Sequence, residues 1–336
     1  PLSTTPETQG FPGFLFDPSA TPWLGVLLCS PIIGLWYWCT DQYIVQRVLT
    51  ARGLKEARRG TIFASYLKLV PVFIFLIPGM IAVALYKAGT PGFESIGTNP
   101  QGAFPVLVSN MLPDGLRGLV LAGMLSALMS ALASLFNSTA TLFTVDFYKR
   151  LRPLSSEKHL VTVGRLATGG IIIVGMLWIP FLEGISKYGL YGYLQLVQSL
   201  LAPSIAAVFM AGIFSGKVTP RSGLWGLAAG FICGMLRLGL QVTHELGGVE
   251  FPGVIQAYVD MNWLYFSFLL FVFTCTVIAV VSKFTPKAST EQLVGLTYKS
   301  ISSQQLAIDR ESYGFWEIFH TVVVAGIIVA LYVYFW

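Results

Sequence analysis

Charged residues are scarce in this 336-residue chain. Asp, Glu, Lys and Arg together make up 11% of it, apolar residues make up 54%, and the mean hydropathy is +0.70. Soluble domains carry about 25% charged residues. The composition therefore excludes a soluble globular protein and predicts a protein embedded in a lipid bilayer.

Cysteine and histidine are also few, and neither forms a ligand pattern. The four cysteines lie singly in apolar stretches, without a CxxC pair: Cys29, Cys39, Cys233 and Cys275. The three histidines are isolated: His159, His244 and His320. A disulfide framework and a zinc site are not indicated. We expect neither an enzyme nor an organic cofactor.

Eight apolar stretches are long enough to cross the hydrocarbon core. They are residues 22–45, 61–86, 117–145, 160–181, 188–214, 222–243, 261–283 and 314–336. If the N-terminus is outside, most of the 21 Lys and Arg residues fall on the inner side, as the positive-inside rule requires. Both ends of the chain are therefore predicted to be extracellular or periplasmic, and the net charge of +5 reflects topology, not nucleic-acid binding.

The first apolar stretch is interrupted at Ser30–Gly34 by Pro31. Proline removes a backbone donor, and in lipid such a break is tolerated only where protein or a water-lined cavity satisfies the freed carbonyls. The interruption predicts a substrate site near the bilayer midplane. Tyr37 and Trp38 follow it directly, and the alternatives for this pair are an interfacial aromatic belt and core packing.

Lys68 lies about two turns inside the second stretch, where a lysine requires a partner or a polar cavity. It either serves a site or extends toward the membrane surface near Arg58 and Arg59.

The third stretch carries a polar stripe along one helix face, formed by Ser126, Ser130, Ser134, Asn137 and Thr141. Such a stripe either offers oxygen atoms to an alkali ion or lets helices approach closely.

The fifth stretch has a second polar face, formed by Tyr188, Tyr191, Gln195 and Gln198. Its amides suit a substrate with neighbouring hydroxyls, although a water-filled vestibule explains the spacing equally well.

Several motifs together resemble the sodium/glucose cotransporter group of the sodium:solute symporter family. The segment LWYWCTDQ at 35–42 looks like the sixth core helix of that family, and YLKL at 66–69 with PGM at 78–80 looks like the seventh. SLFNS at 134–138 with LFTVD at 142–146 is similar to the eighth, and YLQ at 193–195 with PSIAAVF at 203–209 to the tenth.

The resemblance implies an all-α integral membrane fold, the second half of an inverted five-helix-repeat transporter, with about eight transmembrane helices and a broken first helix. Residues 1–21 would be an extracellular segment, and residues 22–214 the second repeat with core helices six to ten. Residues 215–336 would add three C-terminal helices and a cytoplasmic loop near 284–313. The chain opens with Pro1, and we expect it to be a piece of a longer protein whose first repeat precedes it.

The resemblance also implies roles for particular residues. Tyr37 would stack on a sugar ring and act as the inner gate, and Trp38 would shape the pocket. Lys68 and Gln195 would bond sugar hydroxyls. At Gly34 related sequences usually carry a small polar residue such as Asn or Thr, so one substrate contact is expected to be missing here.

The expected sodium site departs from the family pattern. The eighth-helix ligands of the family, a carbonyl and two adjacent hydroxyls, match Ala127, Ser130 and Ala131, so one hydroxyl is absent. Hard cations prefer a full oxygen shell, and the loss is expected to weaken binding. Ser134, one turn away, is a candidate for a further ion position.

The sequence thus predicts a multi-pass transporter in a cell membrane that couples sodium entry to uptake of a hexose or related sugar by alternating access. The expected partners are the sugar, sodium, the lipid bilayer and the first repeat of the same protein, and no nucleic acid. One alternative is symport of inositol, an amino acid, a vitamin or an anion. The other is a sodium-independent sugar sensor or uniporter, which Ala131 suggests.

Overall fold

The computed structural model describes residues 22–185, 189–287, 289 and 293–335. Every regular element within these residues is helical. The segment 1–21 and Tyr188, both named in the predictions above, lie outside the described residues.

Fourteen α-helices follow one another in the described chain. They are α1 Trp23–Leu35, α2 Gln42–Leu49, α3 Leu54–Pro71, α4 Ile77–Lys87, α5 Ala103–Met111, α6 Asp114–Thr141, α7 Lys149–Leu151, α8 Glu157–Ile185, α9 Gly189–Phe214, α10 Pro220–Gly247, α11 Gly253–Asp260, α12 Trp263–Phe284, α13 Ser303–Glu311 and α14 Phe315–Phe335.

Three π-helical segments connect some of these helices. They are π1 Trp36–Thr40 after α1, π2 Val72–Leu76 between α3 and α4, and π3 Leu142–Tyr148 between α6 and α7. Single π turns inside long helices are uncommon and frequently mark functional sites.

The eight predicted spans are confirmed as helical stretches of sufficient length and apolarity to cross a membrane. They are Trp23–Thr40, Leu54–Lys87, Asp114–Leu151, Glu157–Pro180, Tyr191–Phe214, Pro220–His244, Trp263–Phe284 and Phe315–Tyr334. The second starts seven residues before its predicted bound of 61, because α3 continues through its basic first turns beyond the apolar stretch.

The predicted place of the break in the first span is wrong. Pro31 lies inside α1, which runs unbroken from Trp23 to Leu35. The helix widens into π1 and ends at Asp41, which has extended backbone angles of φ −74° and ψ 113°. One missing donor at Pro31 is absorbed by the helix, whereas a change of backbone conformation at Asp41 ends it.

The described residues fall into two compact units. The first comprises the described residues of 22–50, 178–314 and 330–335, and the second comprises Ala51–Leu177 and Phe315–Val329. In the first unit, α9, α10 and α12 pack against one another, and α1 packs on α9 and α12. In the second unit, a cluster around Phe93 and Ile96 joins the α4–α5 loop to both helices.

Close packing in the first unit depends on three glycines of α10. A Cβ atom at Gly226 would collide with Ile278, one at Gly230 with Ser204, and one at Gly234 with the backbone of Leu200. The glycines recur every four residues and therefore share one helix face. Small residues in such a row let transmembrane helices approach closely.

Arg237 is the largest fully buried side chain of the described residues, with 1% exposure. Its Nη2 donates to the carbonyl oxygens of Val259, at 3.2 Å, and Met261. Its guanidinium group lies 4.1 Å from the centre of the Phe266 ring. Gln241 donates to the same Val259 oxygen at 3.3 Å. Arg237 thus fixes the end of α11 against α10 and α12.

Two segments between the spans contain short helices. The segment between α4 and α6 holds α5, and the loop predicted near 284–313 holds α13. A capping box begins α13, in which Ser302 Oγ accepts from the Gln305 amide at 3.2 Å and Gln305 Oε1 accepts from the Ser302 amide at 3.1 Å. These reciprocal bonds satisfy donors that a helix start leaves open.

Candidate functional site

The aromatic segment of the candidate site lies on π1. Tyr37 is half-buried, whereas Trp38 is 43% exposed. Their rings meet edge to face at a centroid distance of 5.3 Å, and the Trp36 ring lies 6.2 Å from that of Tyr37. Offset and edge-to-face pairs are favoured by the ring quadrupoles. The segment presents an aromatic surface with a phenol at its centre.

Thr40 and Asp41 shape the end of this segment. The Asp41 amide donates to the Trp36 oxygen at 3.1 Å, and the Thr40 hydroxyl donates to the same oxygen at 2.7 Å. Asp41 Oδ1 then accepts from the Tyr43 amide at 3.1 Å and begins α2. The capping role of Asp41 was not predicted from the sequence, although an acidic residue just before a new helix is a typical N-cap signal.

Gly34 lies one turn before Tyr37 and is half-buried. A Cβ atom at this position would meet no atom within 4 Å. The glycine is therefore not required by close packing, and the space at this position admits a small polar side chain.

Gln195 lies on α9, which packs against both α1 and π1. The helices that carry Gly34, Tyr37, Trp38 and Gln195 are thus neighbours in the first unit. Gln195 and Gln198 are half-buried, whereas Tyr191 is 73% exposed. The predicted polar face of α9 therefore has one well-exposed member and two amides at intermediate depth.

Tyr193, beside this face, is anchored. Its side chain is 4% exposed, and its hydroxyl accepts a hydrogen bond from Trp178 Nε1 at 2.9 Å. This bond links the start of α9 to α8 and fixes the rotation of the turn that bears Gln195.

Lys68 belongs to the second unit. It is exposed, in the last turn of α3, just before Pro71 and π2. The structure therefore places this lysine at a helical discontinuity, next to a second π segment.

The residues predicted to hold sodium lie on α6, also in the second unit. Ala127 and Ser130 are exposed, whereas Ala131 and Ser134 are half-buried. The Ser134 hydroxyl donates to the Ser130 carbonyl at 3.1 Å. The stripe thus presents hydroxyl and carbonyl oxygen atoms, whose lone pairs can coordinate an alkali ion.

Further along the stripe, the Thr141 hydroxyl donates to the Asn137 carbonyl at 2.7 Å. Such bonds to the preceding turn satisfy a hydroxyl without a partner helix. The polar atoms of the stripe are therefore tolerable in an apolar environment whether or not they bind an ion.

The described residues hold no group of three or more His, Cys, Asp or Glu side chains suited to a metal ion. Each histidine instead has a structural partner. Tyr148 Oη lies 2.7 Å from His159 Nε2, Tyr66 Oη lies 3.0 Å from His320 Nδ1, and Gln256 Nε2 lies 3.2 Å from His244 Nε2.

One ion pair in the second unit was missed by the sequence analysis. Arg59 Nε lies 2.7 Å from Glu317 Oε1, and Glu317 is 4% exposed. A cavity of about 530 Å³ adjoins the pair and is lined mainly by the aromatic rings of Phe63, Tyr66 and Trp316. A lone acidic residue in an apolar span was the available signal.

Glu94, outside the membrane-spanning helices, is the acidic residue with a perturbed pKa in the α4–α5 loop. Hydrogen bonds from its own backbone amide and from that of Gly92 lower the pKa of the carboxyl group. The two distances from the Gly92 amide are 3.1 and 3.0 Å. Gly92 has φ +89°, and its carbonyl accepts from Asn110 Nδ2 at 2.8 Å, so this turn is tied to α5.

Comparison with known proteins places these features in a family. The sequence profile of the Sodium:solute symporter family matches residues 9–230. The chain is 40% identical to human Sodium/myo-inositol cotransporter 2 over 290 residues, covering 83% of this chain and 43% of that protein. It is 38% identical to sheep Sodium/glucose cotransporter 1 over 320 residues, covering 92% and 48%.

Zebrafish Sodium/glucose cotransporter 4 is 36% identical over 304 residues, covering 86% of this chain and 46% of that protein. The chain thus spans about half the length of the curated relatives it matches. The family match and the relatives confirm the resemblance to symporters that was predicted from the sequence, and these relatives are transporters rather than enzymes. On the family match, the eight apolar helices and the shared identity over most of the chain, this is a multi-pass membrane protein that belongs to the Sodium:solute symporter family.

Proposed function

We propose that the protein containing this chain couples sodium entry to uptake of a hexose or a related polyol by alternating access. The observation that carries the proposal is the identity of 36–40% to cotransporters named for sodium with glucose or myo-inositol. The aromatic surface on π1, adjacent to a helix that carries amides, is chemically suited to such a solute.

Tyr37 and Trp38 are proposed to bind the apolar face of the sugar ring, with Tyr37 as the inner gate. One face of a pyranose exposes mainly C–H groups, so an aromatic plane gains apolar contact there while the equatorial hydroxyls stay free. Tyr37 is half-buried and Trp38 more exposed, and we propose that Tyr37 lies deeper against the solute and Trp38 at its edge.

Gln195 is proposed to bond the hydroxyls of the solute. Its amide offers both donors and an acceptor, which matches neighbouring hydroxyl groups. Lys68 is assigned a donor role on the resemblance of its motif. Its position at the end of α3, before π2, supports a functional role because π turns concentrate at such sites.

Sodium is the proposed coupling ion, with the Ala127 carbonyl and the Ser130 hydroxyl contributing from α6, Ala131 at the position of the missing second hydroxyl and Ser134 at a further position. We propose that a first five-helix repeat supplies the remaining ligands, in keeping with the greater length of the relatives. Sodium binding would favour the outward-open state and thereby complete the sugar site. Both ends of the chain are proposed to lie outside the cell membrane.

The decisive experiment is uptake by the protein in proteoliposomes, with an inward sodium gradient compared with an equal potassium gradient. Accumulation of labelled glucose or myo-inositol above equilibrium with sodium alone is the expected result. Equal uptake that only reaches equilibrium with both ions would reject coupling. It would favour the uniporter or sensor function suggested by the missing hydroxyl at Ala131.

Two pairs of variants test the assigned residues. Gln195→Ala is compared with Tyr191→Ala on the same helix, and Lys68→Ala with Lys87→Ala in the same span. We expect the apparent solute affinity to fall about tenfold in the first member of each pair, the cost of roughly one hydrogen bond to a charged or buried group. Unchanged affinity in both Gln195→Ala and Lys68→Ala would remove these residues from the site.

Myo-inositol is the second candidate solute, favoured by the 40% identity to a cotransporter named for it. Competition between labelled glucose and unlabelled myo-inositol distinguishes the two. The solute that inhibits at the lower concentration is the better substrate, and failure of both would shift the proposal to another solute of the family.

A further inference from the structure

A cavity of about 450 Å³ lies in the second unit between α8 and the stretch from α6 through π3 to α7. Charged residues line one end of this cavity, and uncharged polar residues line the other end. Lys149, Glu157 and Arg165 lie toward the ends of the helices that meet the short 152–156 loop, whereas Asn137 and Thr168 line the other end.

The two basic side chains that line the cavity have no acidic partner in the part of the chain that the structure describes. Lys149 and Arg165 are both exposed, and neither forms an ion pair within the described residues. Arg150, Arg152 and Lys158 lie close by in sequence, and the segment is predicted to face the cytoplasm. Glu157 is the single carboxylate in the lining. The mouth of the cavity therefore favours an anion.

Thr144 supplies a second, independent observation. Its side chain is 7% exposed, and its Oγ1 has no hydrogen-bond partner among the described residues. It faces Gly164, where an added Cβ would lie 3.4 Å from this oxygen. A buried hydroxyl without an acceptor costs about 1–3 kcal/mol, so an acceptor supplied from the cavity would be stabilising.

The neighbouring hydroxyls cannot serve the same purpose, because they already donate to their own helices. Thr141 donates to the Asn137 carbonyl at 2.7 Å, and Thr168 donates to the Gly164 carbonyl at 3.0 Å. Thr144 is thus the hydroxyl of this cavity with a proton still to donate.

We propose that this cavity binds the head and glycerol region of an anionic phospholipid. Lys149 and Arg165 bind the phosphate, and the Thr144 hydroxyl donates to an ester carbonyl of the glycerol backbone. Thr144 precedes Lys149 by five residues on the same helical stretch, and Lys149 is the nearer of the two to the 152–156 loop, so the order of phosphate then ester follows the helix toward the membrane interior. This inference is independent of the transported solute.

The apolar part of the lining favours a lipid over free phosphate. Val145 is 50% exposed and Val161 56% exposed, and both line the cavity on helices of membrane-spanning length. An acyl chain leaving the glycerol would contact these side chains. Basic pockets between transmembrane helices at the cytoplasmic side bind anionic lipid head groups in this way.

The test is competitive retention of lipid. The purified protein is reconstituted with equimolar phosphatidylserine and phosphatidylcholine, extracted gently, and analysed by native mass spectrometry for the retained phospholipid. The variant Lys149→Gln/Arg165→Gln is compared with Arg150→Gln/Lys158→Gln, which removes the same charge from exposed residues of the same segment that do not line the cavity. Thr144→Val, a near-isosteric change, tests the ester contact.

We expect the natural protein to retain phosphatidylserine preferentially. Each basic side chain near an anionic lipid contributes roughly fivefold to affinity, so the lining variant should lose about 30-fold. The control variant should change by less than about threefold, because its charges attract the membrane only diffusely. Thr144→Val should weaken retention several-fold without lowering the melting temperature.

Three results would overturn the proposal. One is equal loss in the lining and control variants, which would show diffuse attraction to the membrane. Another is equal retention of both lipids by the natural protein. The third is displacement of the lipid by millimolar inorganic phosphate, which would identify the site as one for free phosphate. Melting temperatures of all variants, measured in parallel, separate lost binding from lost folding.

Discussion

Replacement of Arg237 tests how the first unit is held together. In Arg237→Ala the Met261 carbonyl loses a donor, the Val259 carbonyl keeps only Gln241, and the Phe266 ring loses a cation at 4.1 Å. The truncation also leaves a void where a fully buried side chain stood.

The magnitude follows from these contributions. A large-to-small change at a buried site costs about 2–5 kcal/mol, and an orphaned buried carbonyl adds about 1–3 kcal/mol. Against this, removal of the guanidinium relieves the desolvation of its Nε and Nη1, which have no hydrogen-bond partner among the described residues. We expect a net loss of about 2–4 kcal/mol in unfolding free energy.

Arg237→Met separates packing from polar contacts. It retains most of the side-chain volume and removes the buried charge, so we expect a loss of about 0–2 kcal/mol. Arg221→Ala, an exposed arginine on the same helix, is the matched control and should stay within about 0.5 kcal/mol of the natural protein.

The assay is denaturant-induced unfolding in mixed micelles, followed by tryptophan fluorescence, with melting temperatures as a second measure. The reasoning is refuted if Arg237→Ala matches the Arg221→Ala control. It is also refuted if Arg237→Met is less stable than Arg237→Ala, since the retained volume would then bring no stabilisation.

Three further predictions concern the solute site, the sodium site and the Glu94 turn. Gly34→Asn should fold normally, because its Cβ meets no atom within 4 Å, and should lower the KM for sugar several-fold through one added hydrogen bond. Gly234→Ala should instead impair folding, because its Cβ would collide with the backbone of Leu200. An uptake titration checks both variants. Ala131→Ser should lower the sodium concentration for half-maximal uptake several-fold, with Ala122→Ser, at an exposed alanine of the same helix outside the proposed ligand set, as the unaffected control; an unchanged sodium titration in Ala131→Ser would contradict the assigned ligand set. Because hydrogen bonds lower the pKa of Glu94 below its usual 4.5, their stabilisation is complete above pH 4.5 and lost as pH falls through the lowered value. Amide exchange at Gly92, corrected for intrinsic rate, should therefore accelerate at acid pH in the natural protein and show no such step in Glu94→Gln.

The spans were predictable because twenty consecutive apolar residues have no other stable form than a helix in lipid. The position of the break in the first span was harder to predict. Pro31 was the visible signal, yet α1 runs through it, and the helix ends at Asp41, where an N-cap bond to Tyr43 favours a new start. The proline indicated that the first span contains a discontinuity but not where it lies, since the surrounding helix absorbed the missing donor.

The residues of the candidate site also fall into those that could be predicted from the sequence and those that could not. The aromatic pair and Gln195 were found from spacing and resemblance, and the structure adds that their helices are in contact. Glu317 was not found, because its partner Arg59 is 258 residues away and such pairing cannot be read from local sequence. Thr144 was not found either, since a hydroxyl without an acceptor is recognisable only when its surroundings are known.

The three π segments change how helical faces must be assigned in this chain. A π turn is equivalent to one inserted residue, and one residue corresponds to about 100° of rotation. A helical wheel drawn continuously over Leu54–Lys87 therefore rotates every position after Leu76 by about a quarter turn from its real face. Deleting one residue within Val72–Leu76 would restore an unbroken α-helix and turn the part of that span after Leu76 by the same angle.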